Sequence, residues 1–175
     1  MEDYMVLANY VKSFDDGKVT GYDNVNGSGR ITILSTPAAK EVGLSAQNVT
    51  LNGTDVEIQG YNIDGYNYFK LRDIASLLID TPDEFNVDFD SDNNTVLAVK
   101  GGSYTKVDGD LAIGEDNSSS CVASSQYVKV NDKYVSVQAY NIGGYNYLQL
   151  RDLGSALDFG VDYDADTNTA VITAK

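Results

Sequence analysis

YNIDGYNYFKLRDIASLL, Tyr61–Leu78, returns later in the chain as YNIGGYNYLQLRDLGSAL, Tyr140–Leu157. Extended outward from Gln47 and Gln126 in constant register, the copies share about 17 of about 32 residues, which marks a repeated structural unit. Inside the stretch the apolar period changes. Tyr61 and Ile63 alternate as in a strand, and Asp64-Gly65, like Gly143-Gly144, suits a two-residue turn. Tyr66 and Tyr68 then return on the tyrosine side, while Phe69 and Leu71 face the other way. From Leu71 the spacing becomes helical: Leu71, Ile74, Ala75 and Leu78 form one stripe, repeated by Leu150, Leu153, Gly154 and Leu157. Asp73 and Asp152 fall in the first turn, where the helix dipole favours negative charge. Each copy reads as hairpin, short helix, hairpin.

Upstream, Val49 and Leu51, an Asn52-Gly53 turn, and Val56 and Ile58 make an opening hairpin. The parity of large residues then slips by one at Gly60, and again at Ala139, which predicts a β-bulge at each. Downstream, Val87, Phe89, Val96 and Val99 outline a closing hairpin about Asp92-Asn93-Asn94. Val161, Tyr163 and Val171 match it about Asp166-Thr167-Asn168. The first copy carries an insertion around Thr81-Pro82-Asp83. Lys100–Ser125, rich in Gly, Ser and Asp, reads as a connector with a short strand at Tyr104–Val107. Ahead of the repeats, Tyr4–Phe14 and Lys18–Tyr22 read as strands about an Asp16-Gly17 turn, Asn24–Gly29 as a loop and Arg30–Ser35 as a strand. Thr36 suits the cap of a brief helix, with Pro37 at its first position and Gly43 past its end. The expected division is an N-terminal β-rich segment over residues 1–44, repeat 1 over 45–103, a connector over 104–123 and repeat 2 over 124–175. The expected class is α+β, each repeat an antiparallel sheet of about five strands wrapped around one short helix.

Composition works by exclusion. A chain of 175 residues with 42% hydrophobic content is ordinary for a globular protein. Its net charge of -14 argues against nucleic acid and anionic membrane surfaces as partners. No run approaches the roughly 20 apolar residues of a membrane span, so direct membrane insertion is not expected. Cys121 has no second cysteine to pair with. The absence of histidine removes the commonest general base and the commonest transition-metal ligand together. No catalytic, cofactor or metal site is legible, and an enzyme is not expected.

Two constellations remain. Asp88, Asp90 and Asp92, with Asp162, Asp164 and Asp166, have the D-x-D-x-D spacing that opens calcium loops. Asn93 and Thr167 stand at the glycine position, however, and Val99 and Thr173 replace the distal glutamate; an Asx-type turn explains the pattern without metal. Arg72 and Arg151 are read as pairing with carboxylates or capping carbonyls. The second constellation is Tyr61, Tyr66 and Tyr68 with Asn67, mirrored by Tyr140, Tyr145 and Tyr147 with Asn146. Rings beside amides suit a sugar or a protein partner if their faces are open, and a hairpin core if they are buried.

KLRDIASLL followed by VDFDSDNNTVLAV, and LQLRDLGSALDFGVDYDADTNTAVI, resemble the copper amine oxidase N-terminal-like domain, also called the stalk domain. The form resembled is the tandem one of secreted and surface proteins of Gram-positive bacteria, and the likeness runs from about Gln47 to the C-terminus. Phe89 and Tyr163 stand where that family has tryptophan before aspartate. The resemblance implies a five-stranded antiparallel sheet around one helix, and an extracellular or cell-surface location with a leader removed. It does not imply copper, because in the oxidases the histidine ligands and the quinone lie in a separate catalytic domain. The Asn-Tyr pairs here are followed by Val11, Phe69 and Leu148, not by the acid of a quinone precursor. The expected function is a non-catalytic structural or interaction module, a spacer or adhesion unit. A carbohydrate or cell-wall binding module using the Tyr/Asn-rich hairpin faces is the second reading. The partners expected are cell-wall polysaccharide or another surface protein.

Overall fold

Asp64-Gly65 turns with φ of 50° and 89°, Gly143-Gly144 with 58° and 87°, and Asn52-Gly53 with 50° and 80°. These are the positive values that a two-residue hairpin needs, and Asn, Asp and Gly tolerate them best. The computed structural model describes Thr36 and residues 38–175, together with the paired strands β1 (Tyr22–Asp23) and β2 (Arg30–Ile31). The expectations for Tyr4–Phe14, Asp16-Gly17, the Asn24–Gly29 loop and Pro37 lie outside the described residues. Residues 38–41 are not helical, and Val42–Leu44 is a strand, β3, so Gly43 ends no helix.

The quoted stretches form hairpins that meet. β6 (Gly60–Ile63) and β7 (Tyr66–Lys70) pair with Tyr61 opposite Tyr68 and Gly60 opposite Phe69. β13 (Ala139–Ile142) and β14 (Tyr145–Gln149) pair with Tyr140 opposite Tyr147 and Ala139 opposite Leu148. β7 then runs antiparallel to β14, with Tyr147 opposite Lys70, Leu148 opposite Phe69 and Gln149 opposite Tyr68. Phe69 and Leu148 are the same position in the two copies, so this is the register of a two-fold axis between them. β3 and β10 (Val122–Ala123) close the edges of a six-stranded sheet in the order β10-β13-β14-β7-β6-β3. The helices α1 (Leu71–Leu77) and α2 (Leu150–Leu157) follow directly from the strands, and both apolar stripes are buried.

The expected α+β class is corrected. Three sheets hold 14 strands, and the chain is mostly β. Nor does each repeat own a five-stranded antiparallel sheet. The opening hairpin of repeat 1, β4 (Asn48–Leu51) and β5 (Thr54–Val56), joins the closing hairpin of repeat 2, β15 (Gly160–Asp164) and β16 (Thr169–Thr173), through a parallel β16–β4 pair. The opening hairpin of repeat 2, β11 (Tyr127–Val130) and β12 (Lys133–Tyr134), joins β8 (Phe85–Asp90) and β9 (Thr95–Lys100) of repeat 1 through a parallel β9–β11 pair. Parallel neighbours need a long crossover: the chain between the copies supplies it for β9–β11, and residues 52–168 separate β4 from β16.

The expected bulges are corrected by the same exchange. At Gly60 the chain leaves β5 in one sheet, crosses residues 57–59 and enters β6 in another; at Ala139 it does so from β12 to β13. The phase of the side chains changes because the chain changes sheets, with no extra residue inside a ladder. Tyr104–Val107 forms no strand. One face of the six-stranded sheet sends Phe69, Leu148 and Ala139 into the main core, where both helices and both four-stranded sheets meet. The other buries Tyr61, Ile63, Tyr68, Tyr140, Ile142 and Tyr147 in a second cluster, with Val42, Cys121 and Ala123 against it.

Candidate functional site

Alternation along the strands separates the tyrosines from the asparagines. Tyr61, Tyr68, Tyr140 and Tyr147 are 1%, 1%, 2% and 7% exposed. They meet edge to face between repeats, Tyr61 with Tyr147 at 5.1 Å and Tyr68 with Tyr140 at 5.2 Å between ring centroids. Tyr68 donates its hydroxyl to Gln138 Oε1 at 2.9 Å, and the Tyr61 hydroxyl accepts from the Asn117 amide at 2.9 Å. Burial pushes the phenol pKa values of Tyr68, Tyr140 and Tyr147 up, reinforced at Tyr68 by Tyr140 and at Tyr147 by Tyr61. Asn67 and Asn146 project from the opposite side of the same strands. The expected tyrosine–asparagine platform is therefore not assembled, and only Tyr66 and Tyr145, 58% and 46% exposed, keep open rings.

Those two tyrosines mark something else. Tyr66 and Asn67 of repeat 1 line a groove of about 450 Å³ with Gln149, Arg151, Asp162 and Tyr163 of repeat 2. Tyr145 and Asn146 of repeat 2 line a groove of about 180 Å³ with Lys70, Arg72, Asp88 and Phe89 of repeat 1. Every residue lining the smaller groove has its equivalent in the larger, so the pseudo-two-fold axis relates the grooves and each needs both repeats. Sequence reasoning had noted Arg151, Asp162 and Tyr163 for other reasons. It had no means of bringing them to Tyr66, because that meeting depends on the strand exchange.

The smaller groove is engaged with itself. Lys70 Nζ lies 2.9 Å from Asp73 Oδ1, donates to the Gly109 carbonyl at 2.7 Å and sits 4.9 Å from the Tyr145 ring centroid. Burial raises the pKa of Asp73, opposed by the Leu111 amide and by Lys70. Arg72 donates to the Tyr104 hydroxyl at 3.3 Å. Asn146 Nδ2 donates to Gln126 Oε1 at 2.6 Å, which leaves Asn146 Oδ1 buried and without a partner among the described residues.

In the larger groove the corresponding groups have fewer partners among the described residues. Gln149 replaces Lys70, and among the described residues neither its amide nor the Arg151 guanidinium has a hydrogen-bond or ion-pair partner. Asn67 Oδ1 accepts from Ser45 Oγ at 2.9 Å and Asn62 Nδ2 at 3.0 Å, and its own Nδ2 has no acceptor among the described residues. Tyr163, 45% exposed, and Tyr66 present ring surface to the same space. A wider hollow of about 940 Å³ over β4, β5 and β16, reaching Ile113, carries no aromatic ring.

The aspartate hairpins are built as Asx turns. Asp90 Oδ1 accepts from the amides of Asp92 and Asn93 at 3.1 and 3.2 Å, and Asp164 Oδ1 from those of Asp166 and Thr167 at 2.9 and 3.4 Å. Hydrogen bonds from Asn93 and from Thr167 hold the two carboxyls below the usual range. Among the described residues no three acidic or thiol side chains gather as a metal site. Cys121 is half-buried, and burial pushes its thiol pKa up, away from the reactive thiolate. Among the described residues no helix is long and apolar enough to cross a membrane. Comparison with known proteins finds no family model that matches the chain, and no curated protein or solved structure that does.

Proposed function

We propose that the chain is a non-catalytic structural and interaction module of a secreted or cell-surface protein, of the copper amine oxidase N-terminal-like kind. The observation that carries this reading is how the repeated residues are used. Tyr61, Tyr68, Tyr140 and Tyr147, both helices and both closing hairpins serve to lock one repeat into the other. Such a body suits a spacer or adhesion unit, with interaction left to its outer grooves. The acidic surface supports the same reading, since mutual repulsion keeps such a module apart from its copies and from anionic polymers.

The test is protease treatment of intact cells that make the protein, followed by fractionation. Loss of the module from the surface fraction while cytosolic proteins remain intact is the expected result. Retention of the whole protein inside protected cells overturns the location and the spacer role with it.

A further inference from the structure

We propose that the outer edge of β15 is a strand-addition site for an extended segment of a partner protein whose residues alternate basic and apolar. The inference deepens the interaction-module reading by naming the class of partner, and rests on it only in taking that partner to be another extracellular protein. β15 ends its sheet on one side, as β8 ends the other four-stranded sheet, and among the described residues neither pairs beyond. An open edge leaves a row of backbone donors and acceptors that a further chain can satisfy. Every other sheet end is a strand of two or three residues, too short to hold one.

One hydrogen bond shows which backbone groups face out. The Tyr163 amide donates to Asp162 Oδ1 at 2.8 Å, and the Phe89 amide to Asp88 Oδ1 at 2.7 Å. Residue pairs in an antiparallel ladder alternate, so a residue whose amide lies outside the ladder turns its carbonyl out as well, and the residue two before it shares that orientation. Val161 and Tyr163 therefore present their backbone groups at the open edge of β15. On the Tyr163 amide, the Asp162 carboxylate stands where the carbonyl of an added strand would be. The same bond at the equivalent residue of the other copy makes this a built feature of the edge.

Side-chain parity selects the partner. Asp162 and Asp164 leave β15 on one face, and Val161 and Tyr163 on the other, where they line the larger groove with Tyr66. An added strand continues both faces. Its residues of one parity lie beside Asp162 and Asp164, where opposite charge is favoured across the strands. Those of the other parity lie along Val161 and Tyr163, where apolar side chains gain contact. A second copy of this chain is a poor occupant, because β15 against β15 or β8 sets aspartate beside aspartate and each copy carries a net charge of -14. Between the two edges, β15 is the more open: four of its five residues are exposed, against two of six in β8. The groove beside it is also the wider, about 450 Å³ against about 180 Å³.

The experiment is a titration of the full chain with a blocked seven-residue peptide that alternates lysine and valine, followed by backbone amide shifts in nuclear magnetic resonance and by calorimetry. Two peptides serve as controls, one with the lysines grouped ahead of the valines and one alternating glutamate and valine. One saturable site is expected, its shifts centred on Gly160–Asp164 and its affinity at least tenfold above that of either control. Methylating every second amide nitrogen blocks one edge of the peptide only, so one parity is expected to abolish binding and the other to leave it. Asp162→Asn combined with Asp164→Asn keeps the side-chain oxygens that accept the local amide bonds while removing both charges, and is expected to weaken binding at least tenfold. Absence of saturable binding at millimolar peptide, or shifts centred away from β15, overturns the site. Loss or retention of binding for both methylated parities overturns strand addition. Undiminished binding by the double variant, or equal affinity for either control peptide, overturns the partner chemistry. None of these failures moves the cell-fractionation result, so the edge site and the module reading stand or fall separately.

Discussion

Tyr68 and Tyr140 occupy non-equivalent positions of the repeat, and the two-fold relation makes their meeting occur twice, as Tyr68–Tyr140 and as Tyr147–Tyr61. A buried aromatic truncated to alanine loses its transfer energy and leaves a cavity, together about 3–5 kcal/mol. Edge-to-face geometry adds roughly 0.5–1.5 kcal/mol that belongs to the pair and not to either ring. Tyr68→Ala and Tyr140→Ala are therefore expected to be strongly destabilising in urea unfolding, and the double variant to cost less than their sum by about that coupling. Strict additivity would show that the rings contribute only as separate apolar volumes. The same burial sets the alkaline limit of the fold. The folded protein holds the phenols of Tyr68, Tyr140 and Tyr147 above their ordinary value near 10.0, so the unfolded chain releases their protons first as pH rises. Stability is then fully present below about pH 10 and declines above it. Ultraviolet titration should show the Tyr68, Tyr140 and Tyr147 phenols ionising only as the fold is lost. Smooth ionisation of all thirteen tyrosines in the folded state contradicts this.

Within the hairpins, equivalent positions differ in pairs. Gly60 faces Phe69 where Ala139 faces Leu148. A Cβ built on Gly60 would lie 2.6 Å from Phe69 Cε1 and 3.1 Å from the Tyr68 carbonyl oxygen. A small residue against a large ring in one copy thus matches a medium pair in the other, with total volume nearly kept. Gly60→Ala alone is expected to cost about 1–3 kcal/mol by overpacking. Adding Phe69→Leu, which reproduces the second copy's pair, is expected to restore most of that loss. Chemical denaturation of the two single variants and the double variant measures the rescue; a double variant as unstable as the sum of the singles sinks the compensation. Helix α2 shows the same logic at Gly154, which replaces Ala75 of α1. A Cβ there would meet Val161 Cγ2 at 2.5 Å, because the shorter loop after α2 brings the closing hairpin close.

Across the whole molecule, neither repeat encloses its own core. β4 has its parallel neighbour in β16 and β11 has its own in β9, so unfolding either copy removes two strands from each four-stranded sheet. A single cooperative transition is expected in calorimetry, with calorimetric and van't Hoff enthalpies equal. Two resolved transitions, or a Gly60→Ala variant that melts one half alone, would show the repeats to be independent domains.

The repeat, the positive-φ turns at Asp64-Gly65 and Gly143-Gly144, the helical stripe from Leu71 and the Asx role of Asp90 and Asp164 were legible in the residues alone. Each depends on neighbours a few positions apart, where backbone sterics and periodicity act directly. The partner of each closing hairpin was not legible. Val96 and Ala98 alternate as any half-buried strand does, and such a pattern states that one face must be covered without stating by which strand. Two similarly patterned copies make the choice harder still, since β4 and β11 both offer β9 an alternating apolar strand. Only the packed structure decides it, through the register that sets Phe69 against Leu148 and carries each closing hairpin over to the other repeat. That exchange turns an expected α+β pair into a mostly β unit and converts a slip of parity into a change of sheet. It also brings Tyr66 to Tyr163 and Arg151 across about a hundred residues of chain, a distance over which local propensity carries no information and long-range pairing carries all of it.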